Sequence, residues 1–69
     1  MNREQIIEEL KDQGFYSIAE TLEDEKPSAS EMRYLQTDVE KAYRQCTREE
    51  FPTKDYYRVI ELIDLWFNN

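Results

Sequence analysis

Residues 56–67, YYRVIELIDLWF, are the most apolar stretch of this 69-residue sequence, with nine apolar or aromatic positions among the twelve. On a helical wheel at about 100° per residue, most of these side chains fall within one arc of about 160°. The arc contains Leu62, Trp66, Val59, Ile63, Tyr56, Phe67 and Ile60. Because so short a chain has little interior, this arc predicts a helix over residues 54–67 that supplies much of the core.

Three residues that interrupt helices divide the rest of the sequence: Gly14, Pro27 and Pro52. Between them, apolar side chains recur every three or four positions, which predicts helices over residues 3–13, 15–25 and 29–46. We expect Gly14 to end the first helix in the left-handed conformation. The predicted fold class is all-α: a single domain, residues 1–69, formed by a small bundle of about four short helices, with an N-terminal helical hairpin packed on two longer helices. The side chains expected to be buried together are Leu10, Phe15, Leu22, Leu35, Val39, Ile60, Ile63 and Phe67.

Short polar signals mark the starts of the later helices. Ser28 with Glu31, and Thr47 with Glu50, have the spacing of a capping box, in which each residue hydrogen-bonds the backbone of the other. Thr53 stands just before the last apolar periodic segment and is the expected N-cap of the last helix.

The composition argues against several kinds of site. Cys46 is the single cysteine and there is no histidine, so no intramolecular disulfide can form and a zinc site lacks its usual ligands. The commonest general base is therefore missing, and one glycine is too few for a glycine-rich phosphate loop. We expect no enzymatic activity, no catalytic residue, no metal ligand and no cofactor. Cys46 continues the apolar face of the third helix, which favours a structural role.

The same features give an expectation for location. The sequence shows no leader segment and no apolar run near the eighteen or so residues that span a bilayer. A lone cysteine suits a reducing compartment. These features predict a cytoplasmic protein that does not contact a membrane.

The charge is unevenly distributed along the chain. Residues 1–25 carry eight acidic and two basic residues, a net charge of −6, out of −7 for the whole sequence. An acidic surface repels phosphate groups, so direct nucleic-acid binding is disfavoured and a protein partner with a basic surface is expected. The candidate partner-binding residues in this part of the chain are Glu20, Glu23, Asp24 and Glu25. One alternative use of this acidity is imitation of nucleic-acid phosphate, by which small acidic inhibitors occupy basic clefts.

The N-terminal hairpin also has a familiar spacing, carried by Ile6, Leu10, Gly14, Phe15, Ala19, Leu22 and Glu25. These intervals resemble the LisH motif, a helical dimerisation element of eukaryotic proteins. The resemblance covers about twenty of the 69 residues, and Ile18 stands where the motif usually has a serine. It implies dimerisation through the first two helices.

A second candidate surface lies on the last helix. Tyr57 and Leu65 fall in the polar sector of its wheel, where a self-contained core does not use them. Aromatic and aliphatic side chains in such positions are typical anchors of protein interfaces. We therefore predict a partner-binding surface of Tyr57 and Leu65 with the edge of Trp66, which could also join two copies of the chain in a homodimer.

Together these features favour a small acidic protein–protein interaction module: an accessory, regulatory or inhibitory protein of the kind that phages and other mobile elements encode. One alternative is a structural subunit of a homo-oligomer, and another is the nucleic-acid mimic described above. A third is a nucleic-acid-binding regulator that uses a basic stripe of Arg33, Lys41, Arg44 and Arg48 on the third helix. Acidic neighbours of this stripe indicate salt pairing instead.

Overall fold

The computed structural model describes residues 1–68, which form four α-helices and no β-strand. The α-helices are α1 (Arg3–Asp12), α2 (Tyr16–Glu20), α3 (Met32–Gln45) and α4 (Thr53–Phe67). A π-helical turn over Thr21–Glu25 follows α2, and one turn of 3-10 helix over Ala29–Glu31 precedes α3. The radius of gyration, 11.3 Å, is close to the value of about 11 Å expected for a compact domain of this length. The predicted all-α bundle is confirmed.

The turn between α1 and α2 is set by Gly14. Its φ of 89° lies in the left-handed region that glycine adopts without strain. Gly14 N–H donates to the Lys11 carbonyl, and Phe15 N–H donates to the Leu10 carbonyl, each at 2.9 Å. This pair of bonds is a Schellman motif, which satisfies two carbonyl groups that the end of α1 leaves unpaired. The predicted role of Gly14 is confirmed.

The first helix has a capping box that we did not predict. Asn2 Oδ1 accepts from the Gln5 backbone N–H at 2.8 Å, and the Asn2 backbone N–H donates to Gln5 Oε1 at 3.0 Å. The capping box predicted for Ser28 is wrong. Its hydroxyl oxygen lies 2.8 Å from that of Ser30, so the two serines hydrogen-bond each other instead of the backbone of the next helix.

The connection between α3 and α4 is a single turn closed by side chains. Glu50 accepts from the Thr47 backbone N–H at 2.9 Å, and Thr47 Oγ1 accepts from the Glu50 backbone N–H at 3.2 Å, as predicted. The N-cap predicted at Thr53 is wrong. Pro52 occupies the cap position, and the Thr53 hydroxyl hydrogen-bonds the Tyr43 hydroxyl at 2.7 Å, which links the first turn of α4 to α3.

All four α-helices contribute side chains to one core within residues 1–68. Its buried members are Ile6, Ile7, Leu10, Ile18, Ala19, Leu22, Val39, Phe51, Val59, Leu62, Ile63 and Trp66. α4 packs against both α1 and α3, so its apolar strip forms the centre of the core. Among the residues predicted to be buried, Leu10, Leu22, Val39 and Ile63 are fully enclosed.

The other four residues of that prediction, Phe15, Leu35, Ile60 and Phe67, are half-buried at the edge of the core. On α4, the degree of burial depends on where a residue lies around the helix axis. Val59, Leu62, Ile63 and Trp66 occupy one side of the apolar arc, and Ile60 and Phe67 lie at its opposite margin. Phe51, whose burial we did not predict, lies in the connection before α4, and its ring centroid is 5.3 Å from that of Phe15.

One ion pair joins α1 to α4 across a long stretch of sequence. Arg58 Nε lies 2.5 Å from Glu9 Oε2, and Arg58 Nη2 lies 2.8 Å from Glu9 Oε1, a bidentate arrangement. Arg58 Nη1 also donates to Glu61. The hydrogen bonds from Arg58 lower the pKa of the Glu9 carboxyl, and those to Glu9 and then Glu61 raise the pKa of Arg58. The pair therefore stabilises the folded chain when Glu9 is ionised.

Truncation of Ile63 tests the core. Because Ile63 is fully buried, Ile63→Ala should lower the free energy of unfolding by about 2–5 kcal/mol, through lost transfer energy and a cavity. Ile63→Val, at about 0.5–1.5 kcal/mol, keeps the test readable if the alanine variant unfolds. Urea denaturation followed by circular dichroism measures both variants, with the half-buried Ile60→Ala as the control with the smaller loss. A thermal midpoint for Ile63→Ala within a degree or two of the wild type would contradict its burial.

The Glu9–Arg58 pair predicts a pH-dependent contribution. The side chains are 29% and 35% exposed, so solvent screening reduces the loss expected for Glu9→Gln to about 1 kcal/mol near neutral pH. Because the folded-state pKa of Glu9 is lowered, this contribution is fully present above the unfolded-state pKa of about 4.3. It disappears as the pH falls through the folded-state value. Denaturation at a series of pH values should therefore bring the wild type and Glu9→Gln together in acid. Glu8→Gln, at an exposed position without an ion pair, should match the wild type throughout.

Candidate partner-binding surfaces

The predicted acidic candidates lie together at the end of the N-terminal hairpin. Glu20 ends α2, and Glu23, Asp24 and Glu25 lie in the π-helical turn that follows it. We call these four residues the acidic turn. All four are exposed, and none of their carboxylates accepts a hydrogen bond or forms an ion pair with residues 1–68. Their charges therefore face solvent and are not neutralised by another side chain in hydrogen-bond or ion-pair contact. The exposed Lys26 follows directly in the chain.

The first helix extends the acidity of the hairpin. Glu4, Glu8 and Asp12 recur every four residues, so they form one stripe along α1. All three are exposed, and none forms an ion pair with residues 1–68. Glu9, which is paired with Arg58, is the exception on this helix. The stripe and the acidic turn thus place seven unpaired carboxylates on one hairpin.

By contrast, the arginines are mostly engaged within the chain. The Arg3 guanidinium lies 4.7 Å from the centre of the Trp66 ring, and Arg44 pairs with Glu40 at 2.5 Å. Arg48 lies over the Tyr43 ring at 3.5 Å, where it also donates to carbonyl groups at the end of α3. Two of the four residues of the basic stripe considered for nucleic-acid binding are thus engaged within the chain: Arg44 is paired with a carboxylate, and Arg48 keeps its charge but is held at Tyr43 and the end of α3.

The structure separates the three residues predicted on α4. Tyr57 is 66% exposed and projects from the helix, as its place on the wheel predicts. Leu65 is half-buried and packs against the core. Trp66 is 6% exposed, and Arg3 covers its ring and donates to its carbonyl oxygen at 3.3 Å. Little of the Trp66 side chain is therefore open to a partner in the folded chain, and its contribution to a binding surface stays a prediction.

Tyr57 and Leu65 also fail to form one continuous patch. They are about 80° apart around α4 and about 12 Å apart along it. Glu61, which pairs with Arg58, lies between them on the wheel. Tyr57 consequently belongs to the side of α4 near α3, and Leu65 belongs to the side near α1. An interface through both residues would have to include the charged Glu61.

A series of aromatic rings supports Tyr57. Its ring centroid is 5.3 Å from that of Tyr56, which stacks on Tyr43 at 4.2 Å. Tyr43 meets the buried Phe51 edge-on at 5.7 Å. The hydrogen bond with Thr53, followed by the interaction with Arg48, lowers the pKa of the Tyr43 hydroxyl. The series connects the exposed Tyr57 ring to the buried Phe51.

The sequence analysis did not single out the outer face of α3, where an aromatic side chain lies beside basic and polar ones. Tyr34 is 74% exposed and lies beside Arg33, Thr37 and Lys41, with which it lines a depression of about 690 Å³. A helical wheel of α3 would have shown this surface, since these residues all lie opposite the buried Val39.

Two kinds of feature were not found in residues 1–68: a metal-binding cluster and a membrane-spanning helix. No group of three or more cysteine, aspartate or glutamate side chains in this range is arranged to hold a metal ion. Nor does any helix in it combine the length and apolar character needed to cross a bilayer. Cys46 is half-buried against the core, in agreement with a structural role.

Comparison with known proteins gives no assignment: no family model, no curated protein and no solved structure matches the chain. The likeness of residues 6–25 to the LisH motif therefore remains a resemblance of spacing.

Two substitutions on α4 distinguish an exposed side chain from one that supports the core. Tyr57→Lys should leave the free energy of unfolding within about 0.5 kcal/mol of the wild type, because most of the ring is exposed. Leu65→Glu should lower it by about 1–3 kcal/mol, because a carboxylate replaces a half-buried apolar group. Urea denaturation of both variants measures the difference. Equal losses would contradict the separation of the two residues.

Proposed function

We propose that the protein is a small accessory protein that binds a basic surface of a partner protein through its acidic N-terminal hairpin. The observation that carries this proposal is the set of unpaired, exposed carboxylates in the acidic turn and along α1. Binding is preferred over catalysis because the sequence has no histidine and a single half-buried cysteine.

The charge distribution favours a protein partner over a nucleic acid. The chain has a net charge of −7, and −6 of it belongs to residues 1–25. This potential raises the encounter rate with a basic protein and repels phosphate groups. Within residues 1–68, no basic side chain forms an ion pair with the acidic turn or with the stripe along α1, so the acidity of the hairpin is not neutralised locally. Regulation or inhibition of the partner would follow if its basic surface is itself a functional site.

Imitation of nucleic acid is the specific form of inhibition that this acidity suggests. If the captured partner is a nucleic-acid-binding protein, double-stranded DNA added in increasing amounts should displace it from the hairpin. A partner that stays bound in excess DNA would assign the acidic turn to ordinary protein recognition. The same capture experiment therefore decides between the two modes of action.

Self-association is the second candidate, and it rests on the 66% exposure of the Tyr57 side chain. Under this alternative the protein is a structural subunit that forms a dimer at micromolar concentration, and Tyr57→Lys yields a folded monomer. Sedimentation equilibrium of both chains measures the mass. A wild-type monomer at high concentration would exclude self-association as the function.

Charge reversal of the acidic turn tests the main proposal. Changing Glu20, Glu23 and Glu25 to Lys should abolish capture of a basic partner from an extract of the source cell while leaving the helical circular dichroism intact. Wild-type capture should also fall between about 50 mM and 500 mM salt, because screening shortens the reach of exposed charges.

The matched control reverses three other exposed acidic residues without an ion pair: Glu31, Asp38 and Glu49. Each triple variant changes the net charge from −7 by six units to −1, so the two differ in the position of the new charges and not in their number. The control should retain capture. Equal capture by both variants, or equal loss in both, would contradict a binding site at the acidic turn.

A further inference from the structure

The outer face of α3 carries a depression that the proposed function does not use. Its volume is about 690 Å³, and its lining includes Arg33, Tyr34, Thr37 and Lys41 but no carboxylate. Arg33 and Lys41 are exposed, and neither side chain forms an ion pair with residues 1–68. The Tyr34 side chain beside them is 74% exposed. The lining therefore offers an anionic ligand two unpaired positive charges next to an aromatic ring.

Two carboxylates of α3 lie near this depression without lining it. Glu40 pairs with Arg44 at 2.5 Å, so that pair adds no net charge. Asp38 is exposed and forms no ion pair with residues 1–68. A ligand for this face must therefore place its negative charges close to Arg33 and Lys41 and away from Asp38.

The row of Arg33, Thr37 and Lys41 sets the spacing of such a ligand. These residues stand four positions apart, so the two basic residues are about 12 Å apart along α3. Thr37 between them is small, and its hydroxyl already donates to the Arg33 carbonyl at 2.8 Å. The middle of the row therefore leaves space for a ligand side chain, and its two ends attract negative charge. We call these three residues the basic row.

The acidic stripe along α1 has the same spacing as the basic row. Glu4, Glu8 and Asp12 are also four positions apart, so Glu4 and Asp12 are separated by about 12 Å along their helix. All three carboxylates are exposed and form no ion pair with residues 1–68. The stripe thus matches the basic row in distance and is opposite to it in charge.

We propose that the basic row of one copy binds the acidic stripe along α1 of a second copy. Residues four apart form rows inclined by about 26° to the helix axis, so two such rows run side by side when the helices cross at about 50°. This crossing is the commonest one between packed helices in globular proteins. Glu4 and Asp12 would each meet one end of the basic row, and Glu8 would lie over Thr37.

The contact is heterologous, because it joins two different surfaces of the same chain. α1 and α3 pack along different edges of α4, so a copy that uses its basic row still presents its acidic stripe. Further copies can therefore add in series. The proposal gives the self-association considered above a surface that does not include Tyr57. It leaves the acidic turn open to a basic partner, so the main proposed function does not depend on it.

The association should be weak and sensitive to salt. Exposed ion pairs contribute little individually, and each copy carries a net charge of −7 that opposes contact. At about 0.1 M salt, charges more than about 10 Å apart are largely screened, which reduces this repulsion more than the attraction between charges in contact. We therefore expect a dissociation constant of about 0.1–1 mM at that salt concentration, and weaker association at about 1 M salt.

Sedimentation equilibrium of two charge-reversed variants and of their mixture tests the proposal. Arg33→Glu with Lys41→Glu makes the basic row acidic, and Glu4→Lys with Asp12→Lys makes the stripe basic. Each variant alone should associate at least about tenfold more weakly than the wild type, because like charges then face each other. An equimolar mixture should restore association, since the acidic row of one variant meets the basic stripe of the other. The net charges of the variants, −11 and −3, average to the wild-type value of −7, so restoration reports the position of the charges.

Two controls separate this contact from the other surfaces. Glu23→Lys with Glu25→Lys makes the same change in net charge as the stripe variant, but in the acidic turn. It should keep the self-association of the wild type, as should Tyr57→Lys. Circular dichroism should show wild-type helix content in every variant, because all the substituted positions are exposed.

Several results would overturn the proposal. One is a wild-type chain that remains a monomer at about 1 mM in about 0.1 M salt. Another is a charge-reversed variant that associates alone as the wild type does, or a mixture that does not associate. Equal loss in Glu23→Lys with Glu25→Lys would assign the effect to net charge, and loss in Tyr57→Lys would assign it to α4. Capture of a basic partner by the acidic turn is measured separately, so the main proposed function stands or falls on its own experiment.

Discussion

The packing of α4 against both α1 and α3 is the constraint on which the rest of the structure depends. The chain has one cysteine and no histidine, so neither a disulfide nor a histidine-ligated metal can stabilise it, and apolar burial must do so. The strip of Val59, Leu62, Ile63 and Trp66 meets both neighbouring helices. Polar interactions lie along both edges of this strip. Arg58 pairs with Glu9 at the seam with α1, and Gln36 of α3 bonds α4 at the other seam.

Local patterns in the sequence predicted the helices well. The features that they did not predict depend on contacts between residues that are distant in the sequence. Apolar periodicity and Gly14 located the helices to within a residue or two, apart from the π-helical turn that follows α2 and the 3-10 turn that precedes α3, because both signals act within a few residues. The exposure of Tyr57 followed from the same wheel. The wheel also placed Trp66 in the apolar arc, but it did not show that Arg3, near the opposite end of the chain, lies over the Trp66 ring. Thr53 likewise bonds Tyr43, ten residues away, where a local cap was expected.

The same long-range contacts produce the division of charge on the surface. A sequence count gives nine basic and sixteen acidic residues, which suggests that many charges could neutralise one another. In the fold, Arg3 covers an indole ring, Arg48 bonds the end of α3, and Arg58 joins α1 to α4. These arginines serve packing and helix ends, so the exposed carboxylates of the hairpin stay unpaired. Arg33 and Lys41, on the outer face of α3, also form no ion pair with residues 1–68.

The separation between the acidic turn and the core has a thermodynamic consequence. The carboxylates of the acidic turn are exposed, and the apolar side chains of the same hairpin, such as Leu10 and Leu22, are enclosed in the core. A basic partner at the acidic turn would therefore contact charged side chains and leave the core uncovered. Its contribution to binding would be electrostatic and reduced by salt. A partner that binds the native state and not the unfolded one also stabilises the folded chain, so this stabilisation should decrease as the salt concentration rises.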